Sequence, residues 1–350
     1  MPDHSTFSKN RHGRFRDSDL LRRLFARVLA RCIAEGLVGG EGFAVDGRLI
    51  QADASRQKGV EGSAGLPPEA VSRAAQEYLA VLDAAAFGAA TPVPPKFLSP
   101  ADPAARWTGA HGGLAFFADT ANDLIDRDPA IIVDVEATTA IRQAEVTAAK
   151  RMLERSRASF GLYPARLAGD SGSGSAEMLG WLVSEQGIAP HISVFDKSER
   201  TDGTFSRADF SYDQPGDVYR CPAGTMLTTP GSRVNGGATL LDRASTFDCM
   251  ACPLKARCCP NGPVRKIPRS ISEGARDMAR DIARSDEGKT SRRERKKVEM
   301  LFAHLKRLLK LDRLRLRGPN GARDEFHLAA AAQNLRKLAK LVPVPQPSPA

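Results

Sequence analysis

Three acidic residues stand where the sequence could support phosphodiester chemistry. Asp46 in the segment FAVDGRLIQ and Asp170 in ARLAGD each lie where an apolar strand-like segment ends. Two divalent ions about 4 Å apart can activate an attacking oxygen and stabilise a leaving oxygen at phosphorus. Such ions prefer oxygen ligands and keep several waters, so two or three carboxylates hold them. Either aspartate alone is more typical of a turn residue that ends a strand, and only together do they predict a site.

The third acid is Glu299, in the otherwise basic segment SRRERKKVEMLFAHLKR. At 3.6 residues per turn, one helix face carries Arg292, Arg295, Glu299 and Lys306. A neighbouring apolar stripe predicts which side of that helix is buried, and it consists of Val298, Leu301, Phe302, Leu305 and Leu309. We therefore expect Glu299 at the edge of the buried side. The alternative is a solvated surface helix with local Glu–Lys pairs.

Four other acids compete for the same role, namely Asp53, Asp134, Glu136 and Glu177. Asp53 is the main rival of Asp46, and Asp134 lies inside a predicted strand from which it could support the site. We prefer Asp46 as the first acid.

The cysteines form a second candidate site. Cys221, Cys249, Cys252 and Cys258 follow the spacing C-x27-C-x2-C-x5-C, and Cys259 is an adjacent alternative ligand. Four thiolates can close a tetrahedral structural Zn²⁺ site with bonds of about 2.3 Å. An iron–sulfur cluster also takes four cysteines, and unligated thiols remain a third interpretation.

Composition restricts the class of protein. The chain has 350 residues, of which 42% are hydrophobic, 26% charged and 6% aromatic, which excludes a disordered chain and a coiled coil. Neither a bilayer-spanning apolar run nor an apolar signal segment is apparent, so we expect a cytoplasmic protein without membrane association. Residues 251–317 carry 20 Lys and Arg against 8 Asp and Glu, whereas the rest carries 31 against 33. This local net charge of +12 favours a polyanionic partner, above all nucleic acid.

Hydrophobic periodicity predicts alternating strands and helices. Helices are expected over 17–36, 68–85 and 139–156 and from the 171–175 loop through Trp181. Strands are expected over 43–51, interrupted at Asp46-Gly47, from Leu114, from Ala130, over 165–170 and over 191–195. Between the second helix and the first hairpin, a proline-rich link (Pro92, Pro94, Pro95, Pro100, Pro103) should be extended and exposed. The order β, β, β, α, β, α, β predicts an α/β fold, an RNase H-like mixed sheet with flanking helices, interrupted by a cysteine-containing insertion.

The chain resembles the DDE transposases of bacterial insertion sequences, specifically the cut-and-paste group with an insertion between the second Asp and the Glu. The resemblance covers nearly the whole chain, through the stretches FAVDGRLIQADAS, AIIVDVEAT, LAGDSGSGSAEMLGWL, CPLKARCC and ERKKVEMLFAHLKRLLKLDRLRLRGPNGARDEFHLAAAAQNLRKLAKL. That group has a helix signature of Tyr, two residues, Arg, three residues, Glu, six residues and Lys. Arg295, Glu299 and Lys306 match it, whereas Arg292 stands in place of the tyrosine.

The resemblance implies that Asp46, Asp170 and Glu299 bind two Mg²⁺ or Mn²⁺ ions, while Arg292, Arg295 and Lys306 bind DNA. The implied activity is cleavage at the element ends followed by strand transfer. The implied partners are the terminal inverted repeats and target DNA, bound by a homodimer associated with the nucleoid. A metal-dependent nuclease and a non-catalytic, truncated DNA-binding remnant remain alternatives.

The expected organisation follows the same resemblance. Residues 1–40 are the remnant of an N-terminal helical DNA-binding domain, and 41–199 form the first part of the catalytic core, with a helical and proline-rich insertion over 56–106. Residues 200–265 form the cysteine insertion, 266–342 the basic helical end of the core, and 343–350 a tail.

Overall fold

The computed structural model describes residues 9–10, 18–68, 72–83, 94–109, 113–195, 199–213, 215–231 and 233–342. The chain divides into two compact units, one formed by residues 1–172 and 286–350 and the other by residues 173–285. Within the described ranges, no helix is long and apolar enough to cross a membrane.

The first unit combines long helices with one mixed sheet. Its helices are α1 (Leu20–Ala34), α2 (Arg73–Asp83), α3 (Arg142–Phe160), α8 (Asp286–Arg307) and α9 (Gly318–Leu341). Its strands are β1 (Gly42–Gln51), β2 (Val60–Glu61), β3 (Phe97–Leu98), β4 (Arg106–Thr108), β5 (Phe116–Asp126), β6 (Ile131–Thr139) and β7 (Arg166–Gly169).

Strand β5 organises the sheet of the first unit. It pairs antiparallel with β1 on one side, and on the other side with β4 at its start and β6 along the rest. Strand β7 then adds to the free side of β1 in parallel, with Phe43 opposite Leu167. This mixed sheet with flanking helices is compatible with the RNase H-like fold expected for the first unit.

Helices α1 and α9 pack together and against β6. Phe25, Val28, Leu29 and Cys32 are buried along α1, as its apolar periodicity predicts. On α9, the amide of Asn334 accepts from the Ile132 amide at 2.9 Å and donates to the Ile132 carbonyl at 2.8 Å. That pair of hydrogen bonds fixes α9 to the backbone of β6 in a fully buried position.

Two sequence predictions for this unit are wrong in detail. Strand β1 runs without interruption through Asp46-Gly47, because the two residues pair with Asp123 and Asn122 of β5. The proline-rich link is not exposed throughout, because Leu98, Asp102 and Pro103 are buried and Phe97–Leu98 forms β3, paired with β2. Pro92 lies outside the described residues.

The other elements occur where expected, with shifted ends. The second helix begins at Arg73 rather than at Pro68, after Ser72, whose hydroxyl accepts from the Ala75 amide at 3.2 Å. Helix α3 begins three residues late, at Arg142. Residue 17, the expected start of the first helix, and residues 343–350 lie outside the described ranges.

The second unit consists of short elements. They are α4 (Ala176–Gly180) with a following π turn (Trp181–Glu185), β8 (Ala189–Ile192), β9 (Ser211–Asp213), β10 (Val218–Arg220), β11 (Met226–Leu227), β12 (Arg233–Val234), β13 (Thr239–Arg243), α5 (Thr246–Met250), α6 (Lys255–Cys258), β14 (Lys266–Ser270) and α7 (Glu273–Arg284). Strands β9 to β11 form one small antiparallel sheet and β12 to β14 another.

This second unit is larger than the 200–265 segment singled out in the sequence. Strand β14 belongs to it because β14 pairs with β13 over five residues. Helix α7 belongs to it through Glu273, which is buried and forms ion pairs with Arg207, Arg276 and Arg280.

Candidate active site

Asp46 and Asp170 lie side by side on neighbouring strands of the first unit. The last parallel pair of β1 and β7 is Ala44 opposite Ala168. Two residues further along both segments, this register brings Asp46 level with Asp170, and adjacent strands are about 4.8 Å apart. The two carboxylates interact electrostatically. Their proximity therefore follows from the backbone register.

Burial raises the pKa of Asp46 to about 7. The guanidinium of Arg295 opposes this rise, the negative charge of Asp170 adds to it, and Arg48 and Asp123 act in smaller measure in opposite directions. A half-buried acid in such surroundings holds its charge only when cations compensate it. The position therefore favours a bound cation over a free carboxylate.

Asp170 follows β7 directly, in a tight loop that two contacts hold. Arg142 on α3 donates to the carbonyls of Gly172 and Ser171 at 2.9 and 2.8 Å. A Cβ at residue 172 would stand 2.6 Å from Oδ1 of Asp170, so the glycine provides the space that this carboxylate occupies.

Helix α8 is fixed to the sheet at three points. Near its start, Arg127 Nη1 at the β5–β6 turn binds Glu294 and donates to Ser291, both at 2.9 Å. Next along the helix, Arg295 Nη1 donates to the carbonyl of Gly169 at 3.3 Å. Towards its end, the Phe302 ring lies 4.0 Å from the Arg48 guanidinium. The helix therefore passes over the carboxyl end of β7 and over β1.

Glu299 lies between the second and third of these contacts. Its Oε1 is 4.0 Å from Arg295 Nη2, and its side chain is 59% exposed. The stripe beside it is buried at Val298, Leu301, Phe302 and Leu305, as the periodicity predicts. Leu309, also expected in the stripe, follows the end of α8 and is only half-buried. Arg292 and Lys306 are exposed on the same helix. Arg295 therefore links Glu299 to the Asp46 and Asp170 side of the site.

Sequence reasoning missed Glu145. This α3 residue accepts a hydrogen bond from Thr120 Oγ1 at 3.2 Å, and a Cβ at Gly47 would stand 3.2 Å from its carboxyl carbon. Burial raises the pKa of Glu145, and the charge of Asp170 adds to that rise. Its place depends on how β5 pairs with β1, which no local pattern reveals.

The rival acids have other partners. Asp53 forms ion pairs with Arg313 and Arg317, both at 2.9 Å. Asp134 binds Arg22 and Arg155, so it holds helices to the sheet. Because Asp134 pairs with Leu124, which faces Val45, its side chain lies on the face opposite Asp46. The expectation that Asp134 supports the site is therefore wrong.

The two remaining rival acids are also placed by the structure, one in ion pairs and one in the second unit. Glu136 is engaged by Arg151 and by Arg155. Glu177 lies in the second unit, in the first turn of α4.

The donor chemistry at Asp46 and Asp170 fits a hard divalent cation, because two neighbouring carboxylates lie in a partly buried position that disfavours their charge. Over the described part of the chain, no three or more His, Cys, Asp or Glu side chains converge as they stand on one point where an ion could bind. Glu299 in particular is directed towards Arg295.

Five of the cysteines belong to the second unit. Cys221, Cys249, Cys252, Cys258 and Cys259 all line one small cavity there, and all are free thiols.

One family model matches part of the chain. Residues 220–339 match the family model described as "Transposase DDE domain", which supports the identification of the chain as a DDE transposase. The matched range contains Arg292, Arg295, Glu299 and Lys306 together with the cysteine cluster. No curated protein and no solved structure matches the chain.

Proposed function

We propose that this chain, as a DDE transposase, cuts the ends of an insertion sequence and joins them to target DNA. The observation that carries the proposal is the parallel register that sets Asp46 level with Asp170, next to a helix that carries a third acid. Neighbouring carboxylates on separate strands are the arrangement that metal-dependent phosphodiester cleavage requires.

In this proposal Asp46, Asp170 and Glu299 hold two Mg²⁺ or Mn²⁺ ions. When bound, the ions would activate the attacking oxygen and stabilise the leaving oxygen of an in-line displacement. In this proposal Glu299 turns from Arg295 towards the aspartates by a change of side-chain rotamer, for which its exposed side chain leaves room. Arg295 would then be released to contact a phosphate beside the site.

The exposed basic side chains of α8 are the proposed DNA contacts. Arg292 and Lys306 are joined there by Arg293, Lys296 and Arg307, all exposed on the same helix. Such groups position a duplex through its phosphates without reading its sequence. The proposed partners are the inverted repeats at the element ends and the target DNA, held by a homodimer at the nucleoid.

A non-catalytic DNA-binding protein is the second candidate. The observation in its favour is that Glu299 contacts Arg295 and, among the described residues, no group of three acids converges.

Flanking genomic DNA provides the substrate that separates these functions. The inverted repeats that border the gene would be placed on labelled duplexes and incubated with protein, Mg²⁺ and a supercoiled target plasmid. Cleavage followed by covalent joining of the 3′ end to the plasmid supports a transposase. Cleavage without joining indicates a nuclease, and binding without cleavage indicates the non-catalytic alternative.

A further inference from the structure

Five of the six cysteines surround a single cavity in the second unit. Besides these thiols, the lining includes Asp248, Lys255 and Arg265. The cavity measures about 20 Å³, which is room for one water molecule or one ion. A pocket of that size with five cysteines in its wall has the donor groups of a thiolate metal site.

Tight turns present these thiols from separate segments. Cys221 opens a turn in which the Gly224 amide donates to the Cys221 carbonyl at 2.8 Å, with Gly224 at φ +86°. Cys249 lies in α5, and the Cys252 amide donates back to its carbonyl at 3.4 Å. Cys258 is the last residue of α6. Two cysteines separated by two residues, together with cysteines from other turns, are the usual ligands of a structural zinc site.

Fixed positive charge surrounds the cluster. Arg265 is buried, donates to the carbonyls of Cys258 and Phe205 at 3.2 and 2.8 Å, and interacts electrostatically with Cys258 and Cys259. Lys255 donates to the Gly262 carbonyl at 2.9 Å on the cavity wall. Four thiolates around one divalent ion carry a net charge of −2, which these two cations would offset.

The apolar core around the cluster is small. Its fully buried members are Phe210, Tyr219, Leu227, Ala244, Cys249, Cys258 and Ile267. The two sheets beside it are built from strands of two to five residues. So little buried apolar surface rarely stabilises a module unaided, and small modules are commonly held by disulfides or a metal. All five thiols are free.

We propose that the second unit holds one structural Zn²⁺ ion through Cys221, Cys249, Cys252 and Cys258. These four line the cavity from three separate segments, and Cys259, whose thiol interacts with those of Cys249 and Cys258, lines it as well. As they stand, the described side chains do not converge on one point, so binding the ion would require the thiols to change their χ1 rotamers.

The size of the cavity agrees with this assignment, because a volume of about 20 Å³ is room for one ion. Cys259 is then a fifth thiol beside the site that does not bind the ion.

The test measures metal content of the whole purified chain by mass spectrometry, together with alkylation of its native thiols. We expect about one zinc per chain, and four thiols that iodoacetamide modifies only after a chelator removes the metal. Substitution by Co²⁺ should give the intense charge-transfer bands of thiolate coordination. None of these readouts depends on transposase activity, so the inference stands or falls separately from the proposed function.

Single substitutions identify the ligands. Cys252→Ser should lose most of the zinc, whereas Cys259→Ser and Cys32→Ala should keep it, Cys32 being buried in α1 of the other unit. If Cys252→Ser does not fold, the chelator and Co²⁺ experiments on the wild-type chain decide the question. Zinc well below one equivalent with freely alkylated thiols, or iron with inorganic sulfide instead, would overturn the assignment.

Discussion

Asp46 is the central residue of the candidate site. Burial and the charge of Asp170 raise the pKa of Asp46, whereas the cations Arg295 and Arg48 lower it. The sequence indicates Asp46 and Asp170 because both interrupt apolar strand segments. The sequence could not indicate Glu145. This side chain lies against β1 because Gly47 has no Cβ and pairs with Asn122 of β5.

We expect Glu145→Gln to lower metal-dependent DNA cleavage by about tenfold, the lower end of what loss of a supporting group around a metal site costs. The amide keeps the shape and the contact with Thr120 but removes a negative charge near Asp170. Cleavage rates measured over a range of Mn²⁺ concentrations check this. Glu154→Gln, at an exposed position of the same helix, is the control. Equal rates for wild type and Glu145→Gln would assign Glu145 a purely structural role.

His327 gives the first unit a dependence on pH. Its ring is buried; Nδ1 donates to the Arg323 carbonyl at 2.8 Å, and Nε2 accepts from Arg22 at 3.1 Å. Burial, aided by Arg22, lowers the pKa of His327 from 6.5 to about 4. Because the unfolded chain takes up the proton more readily, this contribution to stability is complete above pH 6.5 and is lost as the pH falls towards 4.

The difference corresponds to roughly 2 to 3 kcal/mol of unfolding free energy between pH 7 and pH 4. His327→Gln, which can keep both hydrogen bonds without titrating, should flatten that part of the stability curve. Urea unfolding of both proteins at a series of pH values measures the effect, with exposed His304→Gln as the control. If the unfolding free energies of wild type and His327→Gln changed with pH in the same way, His327 would not be the source of the pH dependence.

At the scale of elements, α8 positions the third acid. Its apolar stripe predicts the buried side correctly, and the structure adds the three contacts that fix the helix to β1, β7 and the β5–β6 turn. Those contacts join residues more than a hundred positions apart, so periodicity within the helix cannot supply them. For the same reason the sequence suggested a break in β1, where Gly47 is paired with β5.

We expect Leu301→Ala to lower the free energy of unfolding by about 2 to 4 kcal/mol, through lost burial and the cavity left behind. Leu301 is 3% exposed, and its neighbour Met300 on the other side of α8 is 64% exposed. Met300→Ala should therefore change stability by less than about 0.5 kcal/mol. Chemical denaturation compares the two variants. Similar losses for both would show that α8 does not pack as described.

At the scale of the whole molecule, the positive charge is concentrated in one part of the sequence. The net charge of +12 over residues 251–317 contrasts with −2 for the rest of the chain. The family match at 220–339 overlaps this basic range. Charge distribution could be read from the sequence alone, whereas the division of the chain at residues 172 and 285 depends on long-range strand pairing.

DNA affinity should therefore fall steeply with salt. If six phosphates are contacted, the slope of log K against log salt on duplex DNA is about −5, and Lys306→Ala should reduce its magnitude by about 1. Fluorescence anisotropy with a labelled duplex over a salt series measures both slopes. A wild-type slope near zero would refute an electrostatic DNA interface.

The central claim is that Asp46, Asp170 and Glu299 together carry metal-dependent DNA cleavage, and nicking of supercoiled plasmid with Mg²⁺ or Mn²⁺ tests it most directly. We expect wild type to nick only with metal, and Asp46→Asn, Asp170→Asn and Glu299→Gln each to lose at least as much nicking activity as the roughly 100-fold upper limit for loss of an outer-shell partner, while all three still bind DNA. Glu287→Gln, at an exposed acid of the same helix as Glu299, should nick like wild type. Undiminished nicking by Glu299→Gln, or a wild type that binds DNA and never cleaves it, would contradict the account.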